Sequence, residues 1–244
     1  MTHSLQNILV IGATGGIGGA LVEALRAGGH RPLLAARRPE PLEALGRSID
    51  APWQVGDTRD AAQTEALLAW AEAQGPLHGV VHAVGSILLK PAHRTTDAEW
   101  ADTLAQNLTS AFNVVRAATP RLATQAGALV LFSTAAAHIG LPNHEAIAAA
   151  KAGVEGLARA SAATWAAKGV RINVVAPGLV ETPLSASITR PGPALEMSQR
   201  MHALGRIGQP ADVVPAVQAA LFSPWMTGQV LVVDGGLSGL KVPR

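Results

Sequence analysis

The sequence predicts an α/β fold: a doubly wound parallel sheet with helices on both faces. Two observations carry this. Short apolar runs of strand length alternate with longer helical stretches along the whole chain, the pattern of βαβ units. A glycine-rich turn, Gly12-Ala13-Thr14-Gly15-Gly16-Ile17-Gly18, falls between the first strand and the first helix. No linker divides the chain, so one domain is expected over residues 1–244.

The elements follow in order. Ile8–Ile11 reads as a buried strand, and Ile17–Ala27 as a helix ended by Gly28-Gly29. Leu33–Ala36 is the second strand, with a short helix over Pro41–Arg47. Pro52–Val55 is the third strand, followed by a helix from Asp60 to about Gln74. Leu77–Val84 is the fourth strand. A long helix then begins at Thr96-Asp97, whose side chains suit an N-cap. Ala128–Phe132 is the fifth strand, and a helix over Ala146–Ala167 leads to a sixth at Arg171–Ala176. Ala211–Phe222 is helical, and Val230–Val233 is the last strand. The Pro/Ser-rich stretch 181–205 between them reads as an insertion, a loop with a helix of the kind that forms a substrate lid.

Composition narrows the function. With 48% apolar and 15% charged residues in 244, a sizeable core is expected. The formal charge of +2, with no cationic cluster longer than Arg37-Arg38, argues against a nucleic-acid partner. The absence of cysteine excludes disulfides, thiolate metal sites and cysteine nucleophiles. No metal site is expected. The start lacks the pattern of a signal peptide, and no apolar run reaches membrane-spanning length. A cytoplasmic location without membrane contact is the default expectation.

The glycine turn suits a dinucleotide. Gly12, Thr14, Gly16, Ile17 and Gly18 let backbone approach a pyrophosphate, and the helix N-terminus offers unpaired N–H groups and a positive dipole end. The end of the second strand selects the cofactor. NAD asks for a carboxylate there to bind the ribose hydroxyls, but the chain reads Ala36-Arg37-Arg38. A guanidinium at Arg37 pairs with a 2′-phosphate, which points to NADP(H); the alternative is a solvated surface arginine, the better reading for Arg38. Asp57, with Thr58, follows the third strand. Its carboxylate suits either the adenine amino group or a plain turn.

With these motifs in view, the chain resembles the short-chain dehydrogenase/reductase family, in its single-domain branch. The match runs from Ile8 to Gly236. It includes the glycine turn, Asp57, Asn107 in Gln106-Asn107-Leu108-Thr109, and Lys151 in Ala150-Lys151-Ala152-Gly153. Further on come Asn173 to Gly178 with Thr182, Arg206 to Pro210, Thr227 to Gln229 and Val233 to Gly236. Across that span the resemblance implies a Rossmann-type sheet of seven strands in the order 3-2-1-4-5-6-7. It also implies hydride transfer between NAD(P) and a carbonyl or alcohol. Ala83, Gly85, Pro177, Gly178, Val180 and Thr182 fall at the family's cofactor-binding positions, and Lys151 at the one that holds the nicotinamide ribose. His82 stands where the family has asparagine, and reads as a core histidine.

The family's catalytic set is Asn, Ser, Tyr and Lys. Asn107 and Lys151 match, and the serine position, seventeen residues before the lysine, is Thr134, with Ser133 beside it. The tyrosine position, four before Lys151, is Ile147, in a chain without a single tyrosine. Loss of a positioned general acid costs about 10²–10⁴-fold in rate. Substitutes are named by sequence proximity. His144, three residues before Ile147, lies on nearly the same helix face one turn closer to the N-terminus and could reach the substrate cavity. His138 and His93 lie in loops. Lys151, desolvated and without its phenolate neighbour, is the fourth. Leu88, Leu89, Ile139, Leu141, Ile147 and Val180 are expected to make the cleft apolar.

Two readings follow. The leading one is an NADP(H)-dependent oxidoreductase acting on an apolar small molecule through a non-standard proton donor. The rival is a cofactor-binding pseudoenzyme, a sensor or partner subunit. A homotetramer or homodimer is expected, because the run from Ala148 to Ala160 is rich in Ala and Gly, and the family pairs this helix and the preceding one across a two-fold axis.

Overall fold

A computed structural model describes residues 5–241. The strands are β1 (Asn7–Ile11), β2 (Arg31–Ala36), β3 (Trp53–Val55), β4 (Leu77–His82), β5 (Ala128–Phe132), β6 (Arg171–Pro177) and β7 (Val230–Val233). They form one sheet in the order β3-β2-β1-β4-β5-β6-β7, every pair parallel. This is the order the resemblance implies. The direction of winding reverses between β1 and β4, and ligands of open α/β sheets bind outside the carboxyl ends of the strands at such a point.

The helices are α1 (Gly16–Ala27), α2 (Pro39–Ile49), α3 (Ala61–Ala73), α4 (Asp97–Leu104), α5 (Ser110–Leu122), α6 (Glu145–Trp165), α7 (Ala186–Thr189), α8 (Pro193–Met201) and α9 (Pro210–Phe222). Strand side chains alternate between two cores. Leu9, Ile11, Leu129 and Leu131 pack with Leu67 and Leu68 of α3, Val114 of α5 and Val154 of α6. Ile8, Val10, Val81 and Val130 pack with Leu21 and Leu25 of α1, Leu42 of α2 and Val217 of α9. Both faces of the sheet are thereby covered, which is why its strands read as continuous apolar runs.

Most predicted boundaries shift by one or two residues. β4 ends at His82, not Val84: Ala83 N–H makes the last bond to β1, at Ile11 O (2.8 Å), and the chain then enters the cleft. The helix expected to open at Thr96-Asp97 does so: Thr96 and Glu99 cap each other reciprocally. It is interrupted by one π-helical turn, Ala105–Thr109, which hydropathy does not reveal. α6 starts at Glu145, so His144 is its N-cap residue and not part of its first turn.

The 181–205 segment carries a 3₁₀ turn (Pro183–Ser185), α7 and α8. Its base is closed by an isolated parallel bridge between Val180 and Gly208. The buried His202 ties α8 to the chain leaving β6, with its Nδ1 at Ser198 O (2.6 Å) and its Nε2 accepting from Leu179 N–H (3.2 Å). Among the described residues no helix is long and apolar enough to cross a membrane.

Candidate active site

The β1–α1 turn is built around glycines whose missing Cβ atoms are structural requirements. Gly12 sits at φ +93°, and a Cβ there would lie 2.4 Å from Ala83 O. A Cβ on Gly18 would lie 2.1 Å from Gly12 O, so the start of α1 closes onto the end of β1. Gly15 is the N-cap and offers no side chain to the first N–H groups. These groups open onto a cavity of about 220 Å³ that runs across the carboxyl ends of β1, β4, β5 and β6. A positive helix end, unpaired N–H groups and a glycine surface fit a pyrophosphate.

Gly16, Ile17, Gly18, Ala83, Gly85, Pro177, Gly178, Val180 and Thr182 line this cavity, together with Asn107, Thr134, Ile147 and Lys151. Gly12 and Thr14 build the turn without lining the cavity. Arg37, Asp57 and Thr58 lie outside it, past the ends of β2 and β3. Arg37 is exposed, and its charge helps hold the Asp57 carboxyl low.

Two of the named positions are otherwise engaged. The Asp57 carboxylate accepts from the Arg59 backbone N–H (3.0 Å) and from the Arg59 guanidinium (Nη2–Oδ2 2.6 Å), as in a turn aspartate. Arg59 is the main cause that keeps this carboxyl below the usual carboxylate range. Thr58 is buried, its hydroxyl 3.2 Å from Nε2 of His82, so its side chain turns beneath the sheet end and away from the cleft. His82 is a core histidine: burial, then the charge of Lys151, pushes it down to about 3, so it stays neutral.

The far end of the cavity gathers the remaining positions. The π turn directs Asn107 inward, where it is buried. Its Oδ1 accepts from Ser86 N–H (3.1 Å), while its Nδ2 donates to Ser86 Oγ (2.9 Å) and Thr103 O (2.9 Å). Lys151 is buried on α6 and donates to Phe132 O (3.0 Å). A Cβ at Gly85 would stand 2.8 Å from Asn107 Oδ1 and 3.3 Å from Lys151 Nζ, so glycine lets both groups converge. Desolvation lowers the Lys151 ammonium from 10.5 to about 8. Thr134 caps the 3₁₀ turn Ala135–Ala137, its Oγ1 accepting from Ala136 N–H (3.3 Å), which leaves the hydroxyl proton available.

The histidines named as substitutes do not converge here. His144 precedes α6, and its Nδ1 lies 2.8 Å from Pro142 O; the helical geometry that would carry it beside Ile147 does not exist. His138 Nε2 pairs with Glu155 Oε1 (2.9 Å), and His93 is exposed on a 3₁₀ turn. None of the three lines the cavity. The apolar walls are also partly different. Ile147 and Val180 line it as expected, but Leu88, Leu89, Ile139 and Leu141 do not. The Lys90 N–H donates to Asn143 O (2.8 Å), which pairs these two loops with each other at the rim. Ile87, Phe132, Leu179 and Leu184 take their place. Ser86, unnamed by motif reading, was signalled only by its position directly after Gly85.

Fold and site together define an open α/β protein whose β1–α1 turn fits a dinucleotide. The family described as Enoyl-(Acyl carrier protein) reductase matches residues 12–238. A chloroplastic tropinone reductase homologue of Arabidopsis thaliana is 33% identical over 243 residues, covering 96% of this chain and 76% of that one. Galactitol 2-dehydrogenase (L-tagatose-forming) of Cereibacter sphaeroides is 34% identical, covering 93% and 92%. The solved short-chain type dehydrogenase/reductase of Mycobacterium ulcerans superposes with a TM-score of 0.92 at 26% identity, covering 98% of this chain and 92% of that one. This chain belongs to the short-chain dehydrogenase/reductase family, whose members use NAD(P).

Proposed function

We propose that this protein is an NADP(H)-dependent oxidoreductase acting on an apolar small molecule, with Lys151 as the group that holds and delivers the proton. One observation carries the reading: among the side chains lining the cavity, Lys151 is the one that titrates in an accessible range. Ile147, at the family's tyrosine position, cannot supply a proton. The bound cofactor supplies the hydride. The chain's own residues do the rest. The glycine turn and the start of α1 hold the pyrophosphate. Arg37 pairs with the 2′-phosphate. Lys151 binds ribose hydroxyls and keeps a proton near the reacting oxygen. Thr134 donates its hydroxyl to the substrate, while Asn107 with Ser86 holds the floor beneath. The segment 181–205 covers the substrate through Thr182, Pro183 and Leu184. A cytoplasmic location belongs to the same reading.

Ile147 itself favours a second reading, the pseudoenzyme that keeps its cofactor site and lacks the acid. Ile147→Tyr separates the two. The side chain lines the cavity one helical turn from Lys151, so a phenol there completes the family's set. In a pseudoenzyme, ketone reduction rises from an undetectable baseline by up to about 10²–10⁴-fold. In an enzyme that already works through Lys151, the phenol adds little and crowds the native substrate. The unmodified protein, screened for NADPH oxidation with ketones, enones and imines, gives the baseline. Enones and imines belong in the screen because hydride lands there on an electron-poor carbon, and solvent can supply the proton.

We also propose a homo-oligomer joined through α6. Ala152, Gly156 and Ala160 are exposed on it, and a Cβ at Gly156 would meet nothing. Light scattering should report a multiple of 25.0 kDa at micromolar concentration, and the monomer mass would refute it.

A further inference from the structure

Glu155 is a buried carboxylate that the proposed chemistry does not use. It lies on α6 one turn beyond Lys151. Its Oε1 accepts from Ser133 Oγ (2.6 Å) and lies 2.9 Å from His138 Nε2. Arg159 stands at 4.0 Å from the other oxygen, at the exposed rim. Ser133 Oγ also lies 3.3 Å from Lys151 O, on the same helix. The two residues that meet at this one oxygen bracket Thr134: Ser133 comes just before it, and His138 closes the turn that it caps. The same carboxylate therefore ties both ends of the Thr134 turn to the helix that carries Lys151.

A buried carboxylate is costly unless its oxygens are paired, so chance retention of such a group is disfavoured. Packing alone would be served as well by an apolar side chain. The bonds to the carboxylate instead set the distance between two elements that meet in the cavity, one bringing Ser133 and Thr134 and the other Ile147 and Lys151. We propose that Glu155 is a positioning residue, with Ser133 and His138 as its partners, that holds the Thr134 turn in register with Lys151. It touches neither substrate nor cofactor; the importance of Thr134 and Lys151 rests on the functional reading above.

The test is hydrogen–deuterium exchange of the full chain, bare and with NADPH, on Glu155→Ala, His138→Ala and Glu155→Gln. Glu155→Gln keeps an oxygen that accepts from both partners. The expected result is exchange at least about tenfold faster over residues 133–144 in Glu155→Ala and His138→Ala, with the β1–α1 turn unchanged, and with most protection restored in Glu155→Gln. If the chain turns over substrate, kcat falls in the alanine variants, NADPH affinity holds, and Glu155→Gln recovers most of the loss. Should Glu155→Ala fail to fold, His138→Ala and Glu155→Gln decide. Unchanged exchange over 133–144 in a folded alanine variant overturns the proposal, as does a glutamine variant no better than alanine. An inactive but normally protected native protein counts against the enzyme reading and leaves the exchange result to judge this one.

Discussion

At the β1–β4 end of the cleft the walls are glycine backbone; at the β5–α6 end they are side chains. The first end is fixed by close approach: Gly12, Gly18 and Ala83 touch through main-chain atoms, and no rotamer is involved. The second end depends on how Asn107, Thr134 and Lys151 are held, and each is held by a neighbour: Ser86, the turn after β5, and Phe132 O. Backbone-built sites tolerate no added atom. Side-chain-built sites lose one function when one residue changes and keep the rest. On the reading proposed for Ile147, that difference is what would let a chain change one catalytic side chain and keep its glycine-built turn.

The largest effect is expected from breaking the backbone end. Gly18→Ala places a methyl 2.1 Å from Gly12 O, against backbone and not the far end of a flexible side chain. It should destabilise the fold by roughly 3 kcal/mol or more and abolish NADPH binding. Urea denaturation and fluorescence titration measure the two losses, and a stable variant with unchanged affinity would show that the turn is looser than described.

Next comes Ile147→Tyr, described above, which sharpens the comparison by adding a function to the side-chain end without touching the other. Its NADPH affinity should match that of the parent. A loss of affinity by more than about tenfold would show that the two ends are not independent.

Lys151 gives a pH signature. Its ammonium is lowered from 10.5 to about 8 by burial, so it loses its proton as pH rises through that value. If Lys151 delivers the proton, kcat/KM falls above about pH 8, because the acid form of the free protein is required. A profile flat from pH 7 to 10 would remove Lys151 from that role.

Smaller still is Arg37→Ala. Arg37 is exposed, so its pair with a 2′-phosphate is screened by water. The ratio of NADH to NADPH dissociation constants should fall by about tenfold. Equal affinities for both cofactors in the unmodified protein would end the NADP(H) reading.

The comparison also explains what was legible in the sequence. Strands buried on both faces announce themselves as apolar runs, and the glycine turn needs its glycines at fixed spacing, so sheet and cradle could be read directly. The π turn under Asn107 leaves no hydropathy trace. The His144 reading assumed a helix that reached back one residue further than α6 does. Leu88 and Leu89 were placed by distance from a strand end, but β4 stops two residues early and its loop pairs with the 141–143 segment. Arg59 and Glu155 act through partners far from any motif: Arg59 takes the Asp57 carboxylate, and Glu155 takes Ser133 and His138. Side-chain partnerships across loops are set by tertiary packing, which one sequence does not display.

The central claim is that the side-chain end still performs chemistry without a phenol, through Lys151. NADPH oxidation by the unmodified protein, measured across ketones, enones and imines beside Lys151→Ala, tests it most directly. The account predicts turnover with at least one apolar substrate, lost in Lys151→Ala while NADPH affinity stays within about tenfold. No turnover with any substrate, together with ketone reduction newly gained in Ile147→Tyr, would contradict it.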